Sequence, residues 1–142
     1  VGEFTAQRER EECIPIIKNN HLEPFVILHG QQHGANLDTL FEQCDFGVGS
    51  LGRHRSGITN IKTLKNREYA ARGIPFIYSE IDEDFETMPY IMKIPANESS
   101  VNIQEVINFY NKIDSTPTKI RESIKQLSWK EQMKKVITSI KI

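Results

Sequence analysis

Apolar residues are arranged in two ways along this chain: continuous runs, and positions that recur every three or four residues. Residues 24–30, PFVILHG, form a continuous run closed by glycine, the pattern of a strand buried on both faces. DFGVGSL at 45–51 is the next strand, and its two glycines let another backbone or a ligand come close. IPFIYS at 74–79 follows a glycine–isoleucine–proline break, and YIMKIP at 90–95 is a further short strand.

Helical spacing fills the gaps. Thr5 can cap a helix from about Ala6, and Pro15 either kinks or ends it. Asn36 can cap LDTLFEQC, with Leu37, Leu40 and Phe41 on one face. A helix from about 61 to 72 stops at Gly73. Its Ile61, Leu64, Glu68 and Ala71 share one stripe, so a carboxylate sits on the face expected to meet the sheet, one turn after Lys65. Ile103, Val106, Ile107 and Tyr110 mark an amphipathic helix. Thr116 before Pro117 is a cap followed by a first-turn proline, and Ser128 to Glu131 fits a capping box. Trp129, Met133, Val136 and Ile140 then form a stripe expected to pack. The acidic segment EIDEDFE at 80–86 reads as a solvated loop.

Strands alternating with helices predict an α/β fold: a Rossmann-like parallel sheet with helices on both faces. Its 142 residues suit one domain, 1–142. The opening VGEF reads as a strand end entering a turn, so the expectation is a fragment truncated at its first strand. The unpaired sheet flank would favour self-association.

Ligands of such sheets bind beyond the carboxyl ends of the strands. That rule gathers 30–34, 50–60 and 79–85 on one rim. The 50–60 loop ends at a helix start, where amides and the helix dipole favour an anion. Arg53, His54 and Arg55 add positive charge there, and Gly57 allows close approach. An ordinary solvated loop would have the same composition. A carboxylate such as Glu68 can accept two hydrogen bonds side by side, which suits the vicinal hydroxyls of ribose. The plainer reading is an ion pair with Lys65.

Net charge is −1, from 18 Lys and Arg against 19 Asp and Glu, which gives no reason to expect nucleic acid or an anionic membrane as a partner. Cys13 and Cys44 are far apart and form no metal motif, so they read as small buried hydrophobes of a reducing compartment. His29, on an apolar run, reads as a core histidine, and His29, His33 and His54 lack metal-ligand spacing. No apolar run is long enough for a transmembrane segment, and a cytoplasmic location is the default expectation.

The ordered pieces resemble the C-terminal, donor-binding half of GT-B fold, retaining-type glycosyltransferases. VGEF resembles the family's VGEG strand–turn, and FVILHG its next strand. LFEQCDFGVGSL is similar to a helix–strand unit, and LKNREYAARGIPFIYS to the LK..EY.A.G.PVI unit. SWKEQMKKV resembles the closing tryptophan helix. The resemblance implies a nucleotide-sugar donor as substrate and no metal or other cofactor. It also implies an acceptor-binding N-terminal domain that this chain lacks. It gives Glu68 to the ribose and the 56–60 loop to the diphosphate, so Arg53, Arg55, Gly57, Ile58 and Thr59 become candidate diphosphate contacts. Gly30, Gln31 and His33 fall near the base, and Asn60 and Lys65 near the sugar or base. Asn60 stands where many members carry a second glutamate; an amide can hydrogen-bond a sugar but carries no charge. Two other readings use the same sheet. A nucleotide-sugar epimerase would need an acid/base pair from Asp82, Glu83 or Asp84. A non-catalytic nucleotide-binding or scaffold module would keep only the binding.

Overall fold

The apolar run after Pro75 becomes the centre of a small parallel sheet. The computed structural model describes residues 7–140, apart from the side chains of Arg8 and Glu9; Thr5 and the VGEF segment lie outside the described residues. Strand β2 (Phe76–Tyr78) is buried along its length and lies between β1 (Gly47–Val48) and β3 (Ile91–Lys93), both parallel to it. Gly47 pairs with Phe76, and Phe76 with Ile91. The ladder continues past the strand ends, with Gly49 N–H donating to Ile77 O at 2.7 Å and Ile94 N–H to Tyr78 O at 3.0 Å. The result is an α/β architecture built on an open, three-stranded parallel sheet.

The chain divides into two compact units, Val1–Gln43 and Cys44–Ile142. In the first unit, helix α1 (Gln7–Asn19) runs through Pro15, which neither ends it nor stops the last turn. Helix α2 (Gly34–Glu42) starts ahead of the expected Asn36 cap, because the extended backbone of His33 already places that residue at the cap. The run at 24–30 is not a strand of the sheet. Phe25 and Val26 N–H groups instead turn back to Leu22 O, at 2.9 and 2.8 Å, and Phe25 is 82% exposed. A strand exists only through its ladder partners, and an apolar run does not specify them. His29 is exposed rather than a core residue; Cys44, in the second unit, is exposed too, and both cysteines are free.

The second unit holds the sheet and its core. Phe76 is the hub, with the Phe85 ring edge-on at 5.5 Å and the Tyr69, Tyr78 and Tyr90 rings at 5.7, 6.0 and 6.5 Å. Helix α3 (Leu64–Arg72) makes the crossover from β1 to β2. Thr63 caps its start, and Gly73 ends it in the left-handed region at φ 79°. A side chain at Gly73 would also meet Pro117 O at 2.6 Å, so the glycine lets α3 abut α5 (Pro117–Ser123).

The buried face of α3 is not the expected stripe. Asn66 and Ala70 are the fully buried positions, whereas Leu64 is 83% exposed and Glu68 and Ala71 are exposed. The reason is close approach. A side chain at Gly49 would meet Asn66 Oδ1 at 2.5 Å, and one at Gly47 the Tyr69 ring at 2.8 Å. Gly47 in β1 and Gly49 just after it therefore admit the Tyr69 and Asn66 side chains of α3.

Helix α4 (Ile103–Tyr110), capped by Asn102, and α5, capped by Thr116, start where their signals place them. Ser128 likewise caps α6 (Trp129–Ser139) by accepting from Glu131 N–H at 3.4 Å. The apolar stripe of α6 does not pack within the described chain: Trp129 is 84% exposed, and Met133, Val136 and Ile140 are exposed with it.

Candidate functional site

All three strands end on one side, where the connecting loops enclose a cavity of about 380 Å³. Leu51, Gly52, His54 and Arg55 line it from the loop after β1, and Ser79 from the end of β2. Residues 94–101, after β3, complete the wall with Asn97, Glu98 and Ser99. This is the position at which an open parallel sheet receives ligands.

The loop after β1 is held at both ends by the β2 extension. Ser79 N–H donates to Ser50 O at 3.2 Å, while Ile81 N–H donates to Thr59 O and Ile61 N–H to Ile81 O, each at 2.8 Å. Glu80 lies between these clamps, and the residue is only 2% exposed. Its Oε1 accepts the N–H of Arg53 at 2.5 Å and of His54 at 3.2 Å; its Oε2 accepts the Ser79 hydroxyl at 2.8 Å. Burial pushes this carboxyl's pKa up. Hydrogen bonds from the Ser79 hydroxyl, its own N–H and the His54 and Arg53 amides outweigh burial and hold it below the ordinary carboxylate value. Arg53 and His54 open a short 3-10 turn (Arg53–Ser56), and the internal carboxylate takes their amides, whereas sequence reasoning placed an anion at the amides of the helix start that follows the loop.

Above Glu80, the His54 ring lies between two carboxylates. Its Nδ1 is buried without a hydrogen-bond partner, 3.8 Å from Glu80 Oε1. Its Nε2 is 2.9 Å from Glu98 Oε1. Arg55 reaches the same carboxylate with both prongs of one guanidinium edge, Nε to Oε1 at 2.8 Å and Nη2 to Oε2. The Arg55 guanidinium, and then His54, hold the Glu98 carboxyl down at about 2. The mouth of the cavity thus carries two cationic or protonatable groups bridged by one exposed carboxylate.

A second cavity of about 360 Å³ is lined by Asn60, Ile61, Lys62, Ile81 and Glu83, along the parallel bridge between Asn60 and Ile81. Of the remaining acidic residues of 80–86, Glu83 is exposed, as expected of a solvated loop, whereas Asp82, Asp84 and Glu86 are engaged by the fold. Asp82 is fully buried and accepts from Asn66 Nδ2 at 3.1 Å and from Arg67 at 3.2 and 3.3 Å. Arg67 also holds Asp84, and its guanidinium lies 5.5 Å from the centre of the Phe85 ring. Glu86 accepts from the Tyr78 hydroxyl at 2.8 Å and from Lys93 at 2.5 Å. Burial, and next the Glu86 contact, push the Tyr78 hydroxyl's pKa up.

Of the residues singled out from sequence, Arg55 lines the first cavity and Asn60 the second. Arg53 is exposed, with Nε 3.4 Å from Ser50 Oγ. Gly57, with φ 69°, ends the 3-10 turn, and exposed Ile58 and Thr59 lead from it to the bridge. Glu68 lines neither cavity; it pairs with Arg72 at 2.6 Å rather than with Lys65, which is exposed. Gly30, Gln31 and His33 belong to the first unit, Gly30 with φ 64° and His33 at the cap of α2. Sequence reasoning put Glu80 on the rim without giving it a role, and it missed Asn97, Glu98 and Ser99. The rule of carboxyl ends, applied to 90–95 as well, would have brought in the residues after β3.

Among the described residues no group of three or more His, Cys, Asp or Glu is placed to hold a metal, and no helix is long and apolar enough to cross a membrane. The fold and site define an α/β protein with an open parallel sheet and a polar cavity at its strand ends. No family model, curated protein or solved structure matches the chain.

Proposed function

We propose that this chain is the nucleotide-sugar-binding half of a retaining-type GT-B glycosyltransferase, a Rossmann-like half-domain whose sheet carries helices on both faces. The observation that carries the reading is the cavity beyond β1, β2 and β3, with Arg55 and His54 at its mouth. The ordered likeness of LKNREYAARGIPFIYS and its neighbours to the donor half of that family names the ligand class. On this reading Arg55, with Arg53, stabilises the departing diphosphate, which is electrostatic catalysis aimed at developing charge. Glu68, exposed and steadied by Arg72, accepts the ribose hydroxyls. Asn60 and Lys65 serve the sugar, and the acceptor comes from a domain outside this chain. The parent transfers the sugar to that acceptor without a metal.

Epimerase chemistry gains no support from Asp82 and Asp84, because Arg67 engages both. A binding module without turnover is favoured by one observation, the uncharged Asn60 beside the second cavity.

Calorimetric titration with a nucleoside diphosphate tests the binding claim. The wild-type chain binds, Arg55→Ala weakens binding, and Glu68→Ala weakens it at least about tenfold, as loss of a paired charged contact does. Unchanged affinity in Glu68→Ala removes that residue from the site. In the parent protein, acceptor-dependent release of nucleotide marks transfer, sugar interconversion without acceptor marks an epimerase, and binding without turnover marks the module.

A further inference from the structure

The contact between Glu98 and the Arg55–His54 pair does more than close a surface ion pair. Asn97 Oδ1 accepts the Ser99 N–H at 2.9 Å and the Ser99 hydroxyl at 2.5 Å, a tight turn with Glu98 at its tip. That tip comes from the loop after β3 and reaches groups on the loop after β1, across the mouth of the cavity. A guanidinium fork takes a carboxylate or a phosphate in the same two-pronged geometry, but one edge cannot take both. Glu98 engages Nε and Nη2 of Arg55 and the Nε2 of His54 with a single carboxylate. It therefore stands where a phosphate oxygen pair would bind. A tethered group also competes at a high effective concentration.

We infer that Glu98 is a displaceable internal anion, a latch that occupies the phosphate position of the cavity and must leave before a phosphate-bearing ligand binds. The inference rests on the nucleotide-sugar reading, and it adds to that reading a built-in competitor. Glu80 fixes the loop from below and keeps the Arg53 and His54 amides engaged, so ligand entry exchanges one anion for another on the side chains without remaking the loop. The consequence is a threshold: weakly charged ligands leave the latch closed, and a diphosphate opens it.

The test is titration of the full chain with inorganic pyrophosphate. Glu98→Gln keeps the size of the side chain and removes its charge. It is expected to bind pyrophosphate about two- to fivefold more tightly than wild type, the effect of removing an exposed ion pair from the competition. Glu122→Gln, on α5 and outside the cavity lining, makes the same change in net charge and leaves affinity unaltered. Adding Arg55→Ala to Glu98→Gln abolishes the gain. Equal affinity of wild type and Glu98→Gln overturns the latch and leaves the diphosphate reading standing. Equal tightening in Glu122→Gln also overturns it, as an effect of overall charge. Absence of binding by both wild type and Glu98→Gln overturns the latch and the diphosphate reading together.

Discussion

Glu80 is the residue on which the geometry of the loop after β1 depends, and replacing it probes that dependence directly. Glu80→Ala removes the acceptor of the Arg53 and His54 N–H groups and of the Ser79 hydroxyl. Each buried donor left unsatisfied costs about 1–3 kcal/mol. His54 lines the cavity and Arg53 is exposed, so water can reach both amides and the lower part of that range applies to each. The expected loss for Glu80→Ala is about 2–4 kcal/mol. Glu80→Gln keeps a carbonyl oxygen for the two amides and loses only the charge assistance, which is roughly half the strength of such a bond. Its new amide group faces a Ser79 hydroxyl that can rotate to accept. The expected loss is about 1 kcal/mol. Urea unfolding followed by circular dichroism reads both as shifts in midpoint at an unchanged slope. Hydrogen exchange adds a local readout, since the Arg53 and His54 amides should lose protection in Glu80→Ala ahead of the β2 amides. Equal midpoints for Glu80→Ala and wild type would refute the anchor. So would a glutamine variant as unstable as the alanine one, because that would place the effect in charge rather than in the hydrogen bonds.

Acid should weaken the second unit through Glu80 and Glu86, whose carboxyls are both held below their ordinary value despite burial. Their contribution is complete above the unfolded carboxylate value of about 4.3 and is lost as pH falls through the lower folded values. Stability of Glu80→Gln measured against pH should therefore fall less steeply on the acid side than that of wild type. Phe76→Ala, at the hub of the core, should cost about 3–5 kcal/mol in the same urea assay. Arg67→Ala leaves Asp82 buried with only Asn66 as a partner, and a loss of about 3–5 kcal/mol is expected. A loss of less than about 1 kcal/mol, the scale of a surface pair, would show that Asp82 is hydrated there.

What the sequence disclosed depended on how local the signal was. Thr116–Pro117, Ser128 and Gly73 act within a turn of themselves, and each caps a helix where its chemistry predicts. The 74–78 run was legible because its glycine and proline punctuation isolates it. The face of α3 was not, because it is chosen by Gly47 and Gly49 on another element rather than by the apolar count of its own residues. The acidic segment at 80–86 was misread most. Carboxylates in a row usually mean solvent, but here their donors lie far along the chain, 26 and 27 positions from Glu80 and 15 and 16 from Asp82. Only the folded arrangement brings the amides of 53 and 54 to Glu80. The same holds for the cavity. The positive loop was visible as a candidate, whereas the opposing wall at 97–99 became part of the site only through β3 pairing beside β2.

The central claim is that the cavity at the strand ends receives a nucleoside diphosphate, and NMR of the isotopically labelled chain titrated with that ligand tests it most directly. The account predicts saturable shifts at the amides of Gly52, His54, Arg55 and Ser79, together with Asn97, Glu98 and Ser99, and their loss in Arg55→Ala. Saturable shifts confined to residues outside this cavity, or no shifts at millimolar ligand, would contradict it.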